Sequence, residues 1–365
     1  MARRLQSDKI LFGTVVALVL FGALMVFSAS AVTAADKFGS SYYFLGRQLA
    51  WAVVGMLAMV GMMTVDYRRL ANPVIIFSAL ALQLMLLVVV LFADRSHNTH
   101  RWLHLGPAGF QPSELAKIVL VLFLAYFLDL HPVSGHLDDW KHTLLPVVLV
   151  SGLCVGLVVA EPDFGTALAL ALIVAAVLYA AGVHWRYFAM GTAGALLPLY
   201  WLVFHSTYRH NRILAFLNPY ADPLGKGFQI IQSYLAVGTG GITGVGLMDG
   251  RQKLFYLPEP QTDFVFAVVG EELGFVGAVA VVALFAIILW RGWRASAGCR
   301  DEFGRLLALG LTVMIVGQAL VNMSVVLGLL PTKGIPLPLV SYGGSSLLVN
   351  LLAVGILLNI SQQAR

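Results

Sequence analysis

Leu254-Phe-Tyr-Leu-Pro-Glu-Pro-Gln-Thr-Asp-Phe-Val-Phe-Ala-Val-Val-Gly-Glu-Glu-Leu-Gly-Phe275 joins a polar, proline-rich run to an apolar one. Asp263 stands at the mouth of the apolar run, and Glu271 and Glu272 lie two turns deeper. From Phe264 onward the segment has the composition of a membrane helix, yet it carries carboxylates. An ionised side chain in hydrocarbon costs about 3 kcal/mol or more, so such a group marks a functional site by default. As a helix, the run places Asp263, Ala267, Gly270, Gly274 and Gly277 on one face. Small residues in a stripe allow membrane helices to pack closely, so Asp263 heads a protein-facing stripe. Glu271 projects about 80° from that stripe and Glu272 roughly opposite it. Two readings of Asp263 stay open: an N-cap carboxylate for free backbone N–H groups, or a catalytic group. Glu271 and Glu272 are expected to pair with buried basic residues in a supporting role.

The whole chain fits this setting. It has 365 residues, 59% hydrophobic and 11% charged, with mean hydropathy +0.85. A soluble domain is about 25% charged, so the class is an all-α integral membrane protein, read as one polytopic domain over residues 1–365. Apolar runs of about 20 residues mark spans. They fall near 10–33, 45–65, 71–93, 112–130, 143–160, 165–183, 187–205, 263–290, 304–329 and 341–361. Ten spans put both termini on one side. The first run, Ile10–Val32, is too long for a signal-peptide core of about 7–15 residues and reads as a retained span. Arg3, Arg4, Lys9, Arg68, Arg69, Lys141, Arg186, Arg291, Arg294, Arg300 and Arg305 crowd short loops on one side, which is therefore cytoplasmic. The opposite side holds the long glycine-rich loop 206–262.

That outer side also carries cations: Arg95, Arg101, Arg209, Arg212, Lys226, Arg251, Lys253 and Lys333. Long loops escape the orientation rule, which explains them structurally. The functional explanation is an anionic ligand such as phosphate or pyrophosphate. The net charge of +5 gives no case for nucleic-acid binding. Cys154 and Cys299 lack metal-site spacing and suggest no disulfide. The loop lacks a nucleotide P-loop pattern.

Three further segments carry chemistry. In Arg101-Trp-Leu-His-Leu-Gly-Pro-Ala-Gly-Phe-Gln-Pro-Ser-Glu-Leu-Ala-Lys117, Pro112 suits a first helical turn. Glu114 and Lys117 then share a face and can pair, while Trp102 fits an interfacial anchor as well as a ligand contact. In Glu161-Pro-Asp-Phe-Gly-Thr166, two acids share a tight turn; they serve as caps, or as ligands for Mg²⁺ or Mn²⁺. In Leu330-Pro-Thr-Lys-Gly-Ile-Pro-Leu-Pro-Leu-Val-Ser-Tyr-Gly-Gly-Ser-Ser346, three prolines and three glycines preclude a regular helix. Lys333 in such a break can bind an anion, or the stretch is a simple connector.

Together, Arg101–Lys117, Glu161–Thr166, Arg251–Gly274 and Pro331–Ser346 resemble the SEDS family (shape, elongation, division and sporulation), which includes FtsW and RodA. Pro331-Thr-Lys-Gly334 is more similar to the division-type members. Gln261 departs from the histidine that the family commonly has at that position. The resemblance implies a peptidoglycan glycosyltransferase that polymerises lipid II at the outer face of the cytoplasmic (inner) membrane. It also implies a class B penicillin-binding protein and other division proteins as partners. The family's essential acidic residue corresponds to Asp263, the expected base. Expected contacts to substrate are Arg101, Trp102, Glu114, Lys117, Arg209, Arg212, Arg251, Lys253, Lys333 and Ser341, with Glu161, Asp163, Glu271 and Glu272 supporting them. A divalent cation, Mg²⁺ or Mn²⁺, is the one candidate cofactor. A lipid II flippase, an elongation-type polymerase and a recruiting scaffold remain as alternatives. The outer placement of Asp263, Lys333, Arg101 and Arg251 favours the polymerase over the flippase.

Overall fold

The computed structural model describes residues 8–93, 101–105, 108–131, 140–205, 207–254 and 256–363. Arg3, Arg4, Arg95, Gly106, Pro107 and Phe255 lie outside them. Each of the ten apolar runs forms a helix: α1 (Lys9–Phe38), α2 (Tyr43–Thr64), α3 (Pro73–Ala93), α4 (Pro112–Leu130), α5 (Leu145–Ala160), α6 (Phe164–Ala180), α7 (Trp185–Phe204), α10 (Val265–Ala297), α11 (Glu302–Val326) and α12 (Gly344–Gln363). Among the described residues, seven helices are both long and apolar enough to cross a membrane. Local signals set the ends. Asp8, Asp163 and Asp301 cap α1, α6 and α11 through their carboxylates, and Pro112 opens α4.

α4, α11 and α12 form the core of the bundle and are buried on most faces. α2 and α12 make the most extensive helix pair. They approach at two glycines: a methyl at Gly55 would lie 2.5 Å from the Leu351 side chain, and one at Gly355 would lie 2.6 Å from the Met59 carbonyl. Outward faces show Leu57, Val74, Phe92, Leu149 and Leu197. A belt of exposed apolar residues this broad fits a hydrocarbon surround and not water. The protein is a multi-pass membrane protein.

The structure adds detail to the expected layout at three points. The segment 206–262 is not a featureless loop: it contains α8 (Thr207–Leu217) and α9 (Phe228–Gly240). Both are too short to register as spans. A small antiparallel hairpin, β1 (Leu103–Leu105) with β2 (Ala108–Phe110), accompanies the all-α bundle and leads into α4.

The third point concerns α10. It runs to Ala297 and is broken at Gly274, whose φ of 64° and ψ of −160° belong to a region essentially reserved for glycine. The helical projection from Asp263 therefore ends there. A broken helix leaves carbonyls on one side and amides on the other without partners. Residues after α9 supply them. Val245 and Gly246 donate to the Glu271 and Glu272 carbonyls at 3.0 and 3.1 Å. The Gly241 and Ile242 carbonyls accept from Phe275 and Val276 at 2.9 and 3.1 Å. The first half of α10, Val265–Glu272, is buried on all sides, unlike a lipid-facing span.

Candidate active site

Asp263 sits just before α10, between the helix mouth and the irregular stretch that precedes α12. Its carbonyl oxygen accepts from Asn322 Nδ2 at 2.9 Å, and the same amide donates to the Ile335 carbonyl at 2.7 Å. One turn along α11, Gln318 donates to the Pro336 carbonyl at 2.9 Å. Two amides on one face of α11 thus hold the backbone break beside Asp263. The carboxylate itself lies against Gly334, where an added methyl would come within 2.9 Å of Oδ2.

The capping alternative for Asp263 does not describe this geometry. The residue flanking α10 is Phe264, and no side chain caps that end. The charged groups nearest the Asp263 carboxylate are Glu259, Arg212, Arg101 and Asp163. Burial raises its pKa to about 7, helped by the charge of Glu259 and opposed by Arg212 and Arg101. A carboxyl group with a pKa near the operating pH suits proton transfer.

Arg101, Arg212, Lys333 and Asp163 are brought to the same end. Arg212 donates to the Thr332 carbonyl at 3.0 Å. Arg101 donates to the Glu161 carbonyl at 3.2 Å and to the Pro162 carbonyl. Backbone oxygens thus help to aim both guanidiniums. Lys333 is half-buried, and its pKa is lowered by burial and by Arg212 while Asp163 opposes this. Asp163 is held by Thr166 and by Gln111, which reaches Oδ2 at 2.9 Å. Trp102 lies against Gly109 of the hairpin. Arg209 covers the Phe164 ring at 4.2 Å.

Other expected site residues belong elsewhere. Lys117 pairs with Glu114 at 2.9 Å and donates to Gln318 Oε1 at 2.6 Å, so this pair buttresses the amide that holds Pro336. Ser341 is buried, with its hydroxyl accepting from the Leu337 amide at 2.9 Å. Lys253 forms a 2.6 Å ion pair with Glu272, and both touch the Ser28 hydroxyl. Glu271 accepts from the Arg251 and Gln252 amides at 2.7 and 3.1 Å. These contacts pin the segment after α9 onto the break in α10.

The expected donors for a divalent cation are Glu161 and Asp163, in the turn before α6. No group of three His, Cys, Asp or Glu able to hold a metal occurs among the described residues. Both Asp163 oxygens are engaged. Glu161 is fully buried, and burial together with Asp163 raises its pKa to about 8, against the pull of Arg101.

Gln318 and Asn322 were not singled out by the sequence reading. Their signal was present: two amides four residues apart in an otherwise apolar helix, where polar groups rarely sit without a role. Away from the site, the next turns of α4 and α11 are filled by Leu120, Leu124, Ile315 and Leu311, each fully buried.

Similarity to known proteins agrees with this layout. Residues 8–365 match the model of the cell cycle protein family of FtsW, RodA and SpoVE. A protein of Trichlorobacter lovleyi named "Probable peptidoglycan glycosyltransferase FtsW" is 46% identical, over 98% of this chain and 94% of that protein. A chain from a structure described as structural coordination of polymerization and crosslinking by a peptidoglycan synthase complex superposes with a TM-score of 0.79 at 34% identity, covering 98% of each chain. The rod shape determining protein RodA of Thermus thermophilus gives 0.72 at 30% identity, over 99% of this chain and 98% of that one. Asp263, steadied from α11 and set among cations, therefore lies in a chain that belongs to the FtsW/RodA/SpoVE family.

Proposed function

We infer that the chain is a peptidoglycan glycosyltransferase that polymerises lipid II into β-1,4-linked glycan. The observation that carries this reading is the Asp263 carboxylate, set against Gly334 among Arg101, Arg212 and Lys333 with its pKa raised to about 7. The relatives' names and the peptidoglycan synthase complex support the reaction class. The higher identity to the FtsW-named protein than to RodA, with Pro331-Thr-Lys-Gly334, supports a role in division over elongation.

The reaction follows from the chemistry of the groups. The 4-hydroxyl of the acceptor's terminal GlcNAc attacks C1 of the donor's MurNAc. The new O4–C1 bond forms as the C1–O bond to the pyrophosphate breaks, and the electron pair leaves with the lipid pyrophosphate. The hydroxyl proton passes to Asp263, and the anomeric centre inverts to β. Asp263 is the base. Arg101, Arg212 and Lys333 stabilise charge on the leaving pyrophosphate, and their fixed orientation requires no rearrangement during the reaction. No step is assigned to a metal ion.

The ten helices are ten membrane spans, and the end carrying Asp263 faces outward across the bacterial inner membrane. The segment 206–262 lies on that outer side. The partner is a class B penicillin-binding protein that cross-links the product, with other division proteins around it. The apolar filling beyond Lys117 and Gln318 favours a polymerase over a flippase, which needs a polar path through the bundle. The test is polymerisation of labelled lipid II by purified protein in bilayers, with and without the penicillin-binding partner. Wild type should yield glycan chains, and folded Asp263→Ala should yield none. Lipid II translocation without polymer would overturn the assignment.

A further inference from the structure

A cavity lies beside the segment 259–262 that leads into Asp263. Its volume is 230 Å³, and it is lined by Thr33, Lys37 and Phe38 of α1, Phe44 of α2, Glu259, Gln261, Thr262 and Tyr342. Three aromatic rings define one wall. Phe44 meets Tyr342 edge-on at 5.0 Å and Phe38 at 5.7 Å. Phe38 is in turn stacked on Tyr43 at 3.9 Å, and Arg47 covers the Tyr43 ring at 4.6 Å. These contacts hold the wall in place.

The opposite wall is polar and just as fixed. Gln261 Nε2 donates to Glu259 Oε2 at 2.9 Å, and the Tyr342 amide donates to the Gln261 carbonyl at 2.8 Å. Glu259 is held with φ of 47° between Pro258 and Pro260. A non-glycine residue in that region usually persists where function requires it. Gln261 is 7% exposed, and its Oε1 has no hydrogen-bond partner. A buried acceptor left unpaired costs about 1–3 kcal/mol, which a ligand N–H or O–H would recover.

The chemistry of this cavity differs from that of the cationic cluster around Arg101, Arg212 and Lys333. It holds one lysine and one carboxylate, so their formal charges cancel. Rings, amides and hydroxyls are suited to a neutral, hydroxylated ring with one apolar face. Pockets for drug-sized ligands measure about 300–1,000 Å³, so this smaller cavity suits a ligand no bigger than a single sugar ring. Thr262 lines it and is followed directly by Asp263.

We propose that this cavity is the acceptor subsite, taking the uncharged N-acetylated sugar at the non-reducing end of the acceptor and presenting its 4-hydroxyl to Asp263. The proposal rests on the glycosyltransferase reading and divides the site in two. The sugar stacks on Phe44 and Tyr342, and its amide or hydroxyl satisfies Gln261. The donor's pyrophosphate lies across Asp263, on the cations.

The test uses the full-length protein in detergent micelles and the methyl glycoside of GlcNAc-β-1,4-MurNAc, a probe with neither lipid nor phosphate. Saturation-transfer NMR should show the strongest transfer to the terminal GlcNAc ring and its acetamido methyl. Transfer should fall at least fivefold in Phe44→Ala and in Gln261→Leu, each with its folding checked by thermal unfolding. It should persist in Lys333→Met, and inorganic pyrophosphate should not displace the probe. Absence of transfer in wild type, transfer retained in both cavity variants, or displacement by pyrophosphate would each overturn the proposal. The same wild-type preparation is assayed for lipid II polymerisation. Polymer without these probe results sinks the subsite alone, whereas absence of polymer sinks the underlying reading.

Discussion

The Asp263 carboxylate rests on the backbone of Gly334, so closely that a methyl at Gly334 would stand 2.9 Å from Oδ2. Gly334 lies in the break that Asn322 and Gln318 hold through Ile335 and Pro336. The contact couples the base to the segment bearing Lys333. Gly334→Ala meets only the movable end of a side chain, so the fold should survive with an unfolding midpoint near wild type. The carboxylate must shift by tenths of an ångström, and displacements approaching 1 Å cost up to about 100-fold in rate. A drop of roughly tenfold in kcat for lipid II polymerisation, with little change in KM, is expected. Wild-type kcat in Gly334→Ala would show that the contact has no bearing on the reaction.

The pH profile should report the same carboxyl. With Asp263 raised to about 7, the basic form grows as pH rises through 7, so kcat/KM should climb across that range. Arg212 opposes the rise by favouring the ionised form. Removing it in Arg212→Gln should therefore move the climbing limb to higher pH as well as slow the reaction. A limb that stays in place would separate Arg212 from the base.

The bundle was legible in the sequence because apolar runs of span length have few alternatives to a helix. Asp263 was legible because a carboxylate at the mouth of such a run is costly. The break at Gly274 was not: Gly270, Gly274 and Gly277 read equally well as a packing stripe, and its φ of 64° depends on residues 241–246 docking there. Nor was the division of the basic residues. Arg212 and Lys253 look alike in a loop, yet Arg212 is aimed by the Thr332 carbonyl while Lys253 is consumed by Glu272. Asn322 acquires its role only once Asp263 and Ile335, 59 and 13 residues away in the chain, are folded against it.

The Lys253–Glu272 pair should be a matter of stability. Glu272 is 1% exposed, and Lys253→Met would leave its charge buried with only the Ser28 hydroxyl and the Met248 amide. Breaking one side of a buried pair costs about 3–5 kcal/mol. Thermal unfolding in detergent should show that loss. The double variant Lys253→Met/Glu272→Gln, which removes both charges, should regain most of it. Equal instability of the single and double variants would mean that Lys253 acts through packing alone.

Glu161 should make the folded state sensitive to pH in the opposite sense from a salt-bridged acid. Its carboxylate oxygens are buried and lack hydrogen-bond partners, and its pKa rises from 4.5 to about 8. Between those values the unfolded chain releases a proton that the folded chain retains. Stability from this residue is therefore complete below pH 4.5 and falls as pH rises toward 8, by at most about 1.4 kcal/mol per pH unit. Glu161→Gln removes the titration. Its unfolding midpoint should match wild type near pH 4.5, exceed it increasingly up to pH 8, and keep a constant lead above that. A bound divalent cation would draw Glu161 into its ionised form and abolish the slope. Unfolding curves for both proteins from pH 4.5 to 8, with Mg²⁺ and with a chelator, decide between these outcomes. A slope that vanishes only with Mg²⁺ would turn the turn at Glu161–Asp163 into a metal site, whereas an unchanged slope leaves it a neutral, structural carboxyl behind Arg101.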